Sequence, residues 1–235
     1  MEIKIIAEAS TRLQRLFVGW GVSFLVDNDL LFDTFSNARR LKKNLELMNI
    51  KINDLKYVVI SHDHWDHTNG LWYVLQENPD MKVFVCPGFS KEFKEKLNKF
   101  NATIVECQDI TRIKENIFTT GEIAGEYDRK PIVEQSLVIK NNKLSIVTGC
   151  AHPGIVTIIK RIKQNFSCPI NLVLGGFHLC DKSILQIHQI AGELKNLQTE
   201  KIAPCHCTGR TAVQILQKEY KENLIEANTG SVIKL

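Results

Sequence analysis

Four times in this chain a short apolar run stops and histidine, cysteine or aspartate follows almost at once. Tyr57-Val58-Val59-Ile60 leads into Ser61-His62-Asp63-His64-Trp65-Asp66-His67, and Leu144-Ser145-Ile146-Val147 into Thr148-Gly149-Cys150-Ala151-His152-Pro153-Gly154. Ile170-Asn171-Leu172-Val173-Leu174 leads into Gly175-Gly176-Phe177-His178, and Lys201-Ile202-Ala203-Pro204 into Cys205-His206-Cys207-Thr208-Gly209. Short apolar runs bounded by such turns read as buried strands. In α/β sheets functional loops gather beyond the carboxyl ends of the strands. If these four strands point the same way, their loops meet on one edge. Six of the seven histidines lie in the four loops, and only His188, in a helical stretch after Ser183, lies elsewhere.

The first loop has the spacing of a metal site. His62 and His64, at i and i+2 of an extended segment, put two imidazoles on one side. Asp66 and His67 then turn the chain and can reach a second ion beside the first. Neutral imidazoles with a carboxylate suit zinc well, and iron or manganese less selectively. Open coordination positions would bring the pKa of a held water down towards ~7. In the second loop His152 ranks before Cys150 as a ligand. A Cys150 thiolate would soften the site, whereas most free cysteines are small buried hydrophobes.

His178 reads either as a further ligand or as a general acid/base. His206 reads as a ligand, with Cys205 and Cys207 packing or supporting it. A structural zinc knot of Cys205-His206-Cys207 with Cys150 or Cys180 is the other interpretation. The paired Cys-x2-4-Cys arms of such knots are missing here. Glu134 could be an unusual ligand, and His188 reads as structural. Thr208-Gly209-Arg210, opening a helix, either helps hold a phosphate or is a plain cap with a surface arginine.

Strands followed by helices, with hairpins such as the one at Asp27-Asn28-Asp29, indicate an α/β protein (α+β by some schemes) with mixed sheets. No low-complexity stretch or linker interrupts residues 1–235, so a single domain is expected. The net charge is +4, but Lys and Glu alternate, as in Lys91-Glu92-Phe93-Lys94-Glu95-Lys96, and no basic block suits nucleic acid. No apolar stretch approaches the ~20 residues that cross a bilayer. Seven cysteines, an odd number, lie mostly in apolar segments and read as reduced thiols. With no secretory leader at Met1-Glu2-Ile3-Lys4, the expected location is cytoplasmic. Substrate choice is expected in loops at 68–78 and 121–131.

The run His62-Asp63-His64-Trp65-Asp66-His67 resembles the signature of the metallo-β-lactamase fold superfamily, and Leu31-Phe32-Asp33-Thr34 is similar to the close of that superfamily's strand-rich opening. The resemblance implies a four-layer αββα sandwich, two mixed sheets with helices outside, and a binuclear site. It implies two divalent metal ions: His62, His64 and His152 on one, Asp66, His67 and His206 on the other. Cys150 stands where a bridging aspartate is expected, so Cys150 or His178 would take that place. Asp66 and His178 are the residues expected to act in catalysis.

The three later loops are similar to a subfamily named for a dihydropterin synthase. Two activities are therefore expected of the family. One is hydrolysis of a phosphorylated or ester-like small molecule by metal-bound hydroxide. The other is transfer, joining a dihydropterin methyl pyrophosphate to an aminobenzene ribofuranosyl phosphate. A non-catalytic metal-binding or redox module is the third reading, and a substrate of small size is the only partner implied.

Overall fold

The computed structural model describes residues 1–11 and 13–235, which form two compact units. The first comprises residues 1–108 and 228–235, and the second residues 109–227.

The first unit is built on a seven-stranded mixed sheet. Strands β1 (Glu2–Ala7), β2 (Ser23–Val26) and β3 (Leu30–Phe32) form an antiparallel meander, with Ile5 opposite Phe24 and Phe24 opposite Phe32. The expected turn at Asp27 is present, with Asp27 at φ 53°. β4 (Tyr57–Val59), β5 (Lys82–Val85) and β6 (Thr103–Glu106) then add in parallel beyond β3. The chain's last strand, Val232–Lys234, pairs with the outer side of β1.

Parallel neighbours need a crossover, and helices supply it. α1 (Ala38–Leu47) joins β3 to β4, α2 (Trp65–Thr68) and α3 (Leu71–Glu77) join β4 to β5, and α4 (Lys91–Leu97) joins β5 to β6. Asn37 and Ser90 cap α1 and α4 by accepting from the amides of Arg40 and Phe93. Every residue of β2 and β3 is buried, so these strands carry continuous apolar runs in place of alternation.

The second unit has a six-stranded sheet and a separate hairpin. β7 (Thr111–Lys114) and β8 (Ile117–Thr119) lie at one side of the sheet. β9 (Ile123–Tyr127) and β10 (Lys130–Glu134) pair only with each other. β11 (Leu137–Lys140) sits between β8 and β12 (Leu144–Thr148), and β13 (Ile170–Gly176) and β14 (Thr199–Cys205) follow in parallel to β12.

α5 (Ile155–Asn165) and α6 (Ile184–Asn196) are the crossovers, and α7 (Arg210–Tyr220) follows β14. α5 turns Ile155, Ile158, Ile159 and Ile162 into a core shared with Ile187, Ala191 and Leu194 of α6 and Ala212, Leu216 and Tyr220 of α7. Each isoleucine or leucine so buried contributes about 1.5–3 kcal/mol relative to exposure. α6 opens on a capping box in which Ser183 and Gln186 satisfy each other's amides.

Two mixed sheets are present, as the resemblance implies: β4 belongs to the first unit's sheet and β12, β13 and β14 to the second's. One expectation is corrected here: the segments at 68–78 and 121–131 are not open loops. The first holds α3, whose Leu71, Val74 and Leu75 are buried at helical spacing. The second is the β9–β10 hairpin, turning at Asp128 and Arg129, both at positive φ.

Candidate metal centre

In the first unit the ends of β3 and β4 assemble one donor cluster. Asp33, just past β3, takes a left-handed backbone (φ 55°), a region that Asp enters more readily than most residues. There its carboxylate is buried and accepts from the Ser61 amide and the Ser61 hydroxyl, both at 2.7 Å. Oδ2 of Asp33 also meets His67 Nδ1 at 2.6 Å. The amide and hydroxyl of Thr34 both donate to the His67 carbonyl at 2.8 Å, so β3 clamps the start of α2. Gly21, at φ +101°, lies against the same turn; a Cβ there would stand 2.0 Å from the Asp66 carbonyl oxygen.

These contacts fix ring orientation. A hydroxyl has one hydrogen, and Ser61 gives it to Asp33, so it accepts from His62 Nδ1 at 2.8 Å. That choice leaves the lone pair of His62 on Nε2. In His67 likewise Nδ1 faces a carboxylate and Nε2 lies 3.5 Å from Asp66 Oδ2. Burial works against a charged His67, yet Asp33, through its charge and hydrogen bond, and then Asp66 push its pKa up to about 10. Burial raises Asp33 in turn, and His67 and Ser61 oppose it, so the pair holds its proton tightly. The His62 ring sits 4.7 Å from that of His64, a pair at i, i+2, and 4.1 Å from that of His67. Asp63 turns away and accepts from the Ser90 amide at 2.8 Å.

In the second unit the parallel register does the gathering. Thr148 pairs with Gly175, and Gly176 with Cys205, so three strand ends stand side by side. Just beyond them Ala151, His178 and His206 all adopt left-handed backbone, at φ 59°, 49° and 51°. Such positions cost about 1–3 kcal/mol each and concentrate at functional sites. The ligand atoms of Cys150, His152 and His178 lie within 4.8 Å of one another, and so do those of Cys150, His206 and Cys207. Cys150 belongs to both triads.

Glu134, at the end of β10, organises the second loop. One carboxylate oxygen accepts from the amides of Cys150 (2.9 Å) and Ala151 (2.8 Å), the other from the His152 amide (2.9 Å) and His152 Nδ1 (2.8 Å). Burial alone would raise its pKa, but the His152 hydrogen bond and charge, followed by the amides, hold it at about 2. With all of that engaged, Glu134 supports His152 and is not itself a ligand, contrary to the sequence-based alternative.

The cysteines divide. Cys207 Sγ donates to the Cys150 carbonyl at 3.6 Å and lies among Cys150, His178 and His206. Burial raises its pKa, but hydrogen bonds with Cys150 and His178 and the neighbouring imidazoles bring it well below the usual thiol range. The hydrogen bond with Cys207 raises His178 against the opposing effect of burial. Cys205 and Cys180 join no donor triad among the described residues, which removes the zinc-knot arrangement.

Thr208 spends its hydroxyl on the Cys205 carbonyl (2.7 Å) and the Phe177 amide (3.0 Å). Gly209, at φ 81°, opens α7 without a side-chain cap, and Arg210 is exposed. His188 is exposed and bonds Glu219 at 3.2 Å, as a structural residue of α6 would. Tyr127, at the tip of β9, stands edge-on to His152 and His178, with ring centroids 5.3 and 5.7 Å away. Sequence reasoning overlooked Tyr127, Ser61 and the anchoring role of Asp33. It could have weighed Asp33 as an acid placed at a strand end.

In each unit by itself the donors suit a divalent metal: in the first, histidines and Asp66 with His67 Nδ1 held by a buried carboxylate, and in the second, histidines and clustered thiols with His152 Nδ1 held likewise. The chain belongs to the metallo-beta-lactamase superfamily: residues 21–102 match that family, and curated relatives align over nearly all of the chain. It is therefore an enzyme of the α/β class with that superfamily's fold.

Among individual proteins, it is similar to the 7,8-dihydropterin-6-methyl-4-(beta-D-ribofuranosyl)-aminobenzene-5'-phosphate synthase of Methanocaldococcus jannaschii, 31% identical over 91% of this chain and 89% of the relative. An uncharacterized protein of the same organism is 29% identical over 98% of this chain and 99% of its own. Among solved structures, Tm1679, a metal-dependent hydrolase of the beta-lactamase superfamily, aligns with a TM-score of 0.84 at 29% identity, covering 100% of this chain and 99% of its own. Among the described residues no helix is long and apolar enough to cross a membrane.

Proposed function

We propose that this protein is a metal-dependent hydrolase of a phosphorylated or ester-like small molecule, working as one domain over residues 1–235. His62, His64, Asp66 and His67 with Cys150, His152 and His206 hold two divalent ions, zinc before iron or manganese by donor chemistry. The observation that carries this reading is the carboxylate behind the histidine, made twice: Asp33 on His67 at 2.6 Å and Glu134 on His152 at 2.8 Å. Buried carboxylates on Nδ1 fix the tautomer and direct Nε2 outward as the ligating atom, the usual support of a metal-bound histidine. When bound, the ions supply activated water and polarise the substrate's oxygen.

The protein's own groups do the rest. Asp66 accepts a proton from the attacking water. His178, which keeps its proton to higher pH than a free imidazole, gives one to the leaving oxygen. Tyr127, exposed and edge-on to His152 and His178, walls the approach to both rings.

The test is elemental analysis of the isolated protein together with turnover of a generic phosphodiester. About two ions per chain, reduced in His62→Ala and His67→Ala, with metal-dependent turnover lost in His64→Ala, are expected. Less than one ion per chain, unchanged by these substitutions, overturns the reading. A second reading, transfer of a dihydropterin methyl group from its pyrophosphate ester to an aminobenzene ribofuranosyl phosphate, is favoured by the likeness to the synthase. Pyrophosphate release from a pterin donor, without hydrolysis of any ester, would replace the first reading by the second.

A further inference from the structure

Cys207 stands out in the second unit because the fold makes room for its sulfur. Cys207 is 4% exposed, and Gly176 opposes it: a Cβ on Gly176 would stand 2.6 Å from Cys207 Sγ and 2.5 Å from the Gly149 carbonyl oxygen. Any other residue there would displace the thiol. The positive φ of His206 turns two consecutive side chains into one cluster, where the ligand atoms of Cys150, His206 and Cys207 are within 4.8 Å. A cysteine kept for packing is surrounded by apolar atoms. This one is set beside another thiol and two imidazoles, His178 and His206.

We infer that Cys207 is a metal ligand, joining Cys150 and His206 so that one of the two ions is held by a pair of thiolates and an imidazole. The inference rests on the metal centre proposed above and adds a ligand to it. Both thiols give up their protons to solvent on binding, with no change of oxidation state. Two sulfurs shift preference toward zinc, cadmium or cobalt and away from manganese or magnesium.

Cobalt(II) and zinc loading under reducing conditions test this. In the cobalt-loaded wild type a sulfur-to-cobalt charge-transfer band is expected. Cys207→Ser should weaken the band, Cys150→Ser should weaken it, and the double substitution should abolish it. A band of unchanged strength in Cys207→Ser overturns the inference. X-ray absorption of the zinc-loaded wild type needs no variant and guards against misfolding of the substituted chains. Two sulfurs per chain at ~2.3 Å support the inference, and one or none overturns it. A chain that binds no cobalt refutes the whole metal centre, whereas cobalt bound without the band leaves the centre standing and removes only its thiolates.

Discussion

Glu134→Gln changes one atom and removes one charge from the most heavily used carboxylate in the second unit. The wild-type group accepts three amides and faces His152 Nδ1, all between 2.8 and 2.9 Å. Its pKa falls from 4.5 to about 2, which at ~1.36 kcal/mol per unit amounts to about 3 kcal/mol of folding stability at neutral pH. Glutamine puts an NH2 where two of these donors point and leaves at least one buried amide unmatched, a loss of about 1–3 kcal/mol by an independent route.

The two figures agree in size, so Glu134→Gln is expected to lower unfolding stability by about 3 kcal/mol at pH 7. The sign of the pH dependence follows from the depressed pKa. The stabilisation is full above about 4.5 and disappears as pH falls through about 2, so the gap between wild type and variant is constant from pH 7 to 5 and narrows below. Urea unfolding of chelator-treated protein at several pH values measures it. Zinc competition on the same samples should show affinity lower by about 10–100-fold, since His152 loses its support. A variant within 0.5 kcal/mol of wild type (about the scatter of surface substitutions) with unaltered zinc affinity would show that Glu134 neither anchors the loop nor orients His152.

Other perturbations probe separate parts. Asp33→Asn should bring the His67 pKa down from about 10, read by ring-proton NMR of chelator-treated protein; because that pKa is raised, the stability it contributes is full below ~6.5 and lost as pH climbs through about 10. An unshifted His67 titration refutes the pairing. Gly176→Ala should cost about 1–3 kcal/mol by overpacking against Gly149 and Cys207 and should lower bound metal, checked by thermal melts and elemental analysis. Ile158→Ala should cost about 2–5 kcal/mol by opening the core between α5, α6 and α7, with metal content unchanged.

The apolar strands were legible because each is buried and short, so composition alone marks Tyr57–Val59, Leu144–Thr148 and Ile170–Gly176. Their division between two sheets was not, since a buried run looks the same in either. The helices were found where apolar residues recur at helical spacing, as in α5, while β7, β9 and β10 were missed because their residues are largely half exposed or exposed and mixed in character, and β8 because it is only three residues long. Within the site, His62 and His64 declare themselves by spacing, and the structure sets their rings side by side. Cys207 does not: what distinguishes it is the turn at His206 and the gap at Gly176, neither of which is written in the neighbouring residue types. Asp33 and Glu134 are separated from the histidines they hold by 34 and 18 positions, and only folding makes them neighbours.

The matched ends of β12, β13 and β14 have an implication for how such a chain can vary. Side chains alternate faces along a strand, so sliding β14 by a single residue against β13 would aim His206 and Cys207 away from Cys150. The exposed connections at the ends of the linking helices, such as 167–169 and 180–182, face no such constraint, because lengthening a surface connection by a few residues costs little. Insertions and deletions should therefore be tolerated in those exposed connections, while the buried faces of α5 and α6 and the three strand termini stay in step to the residue.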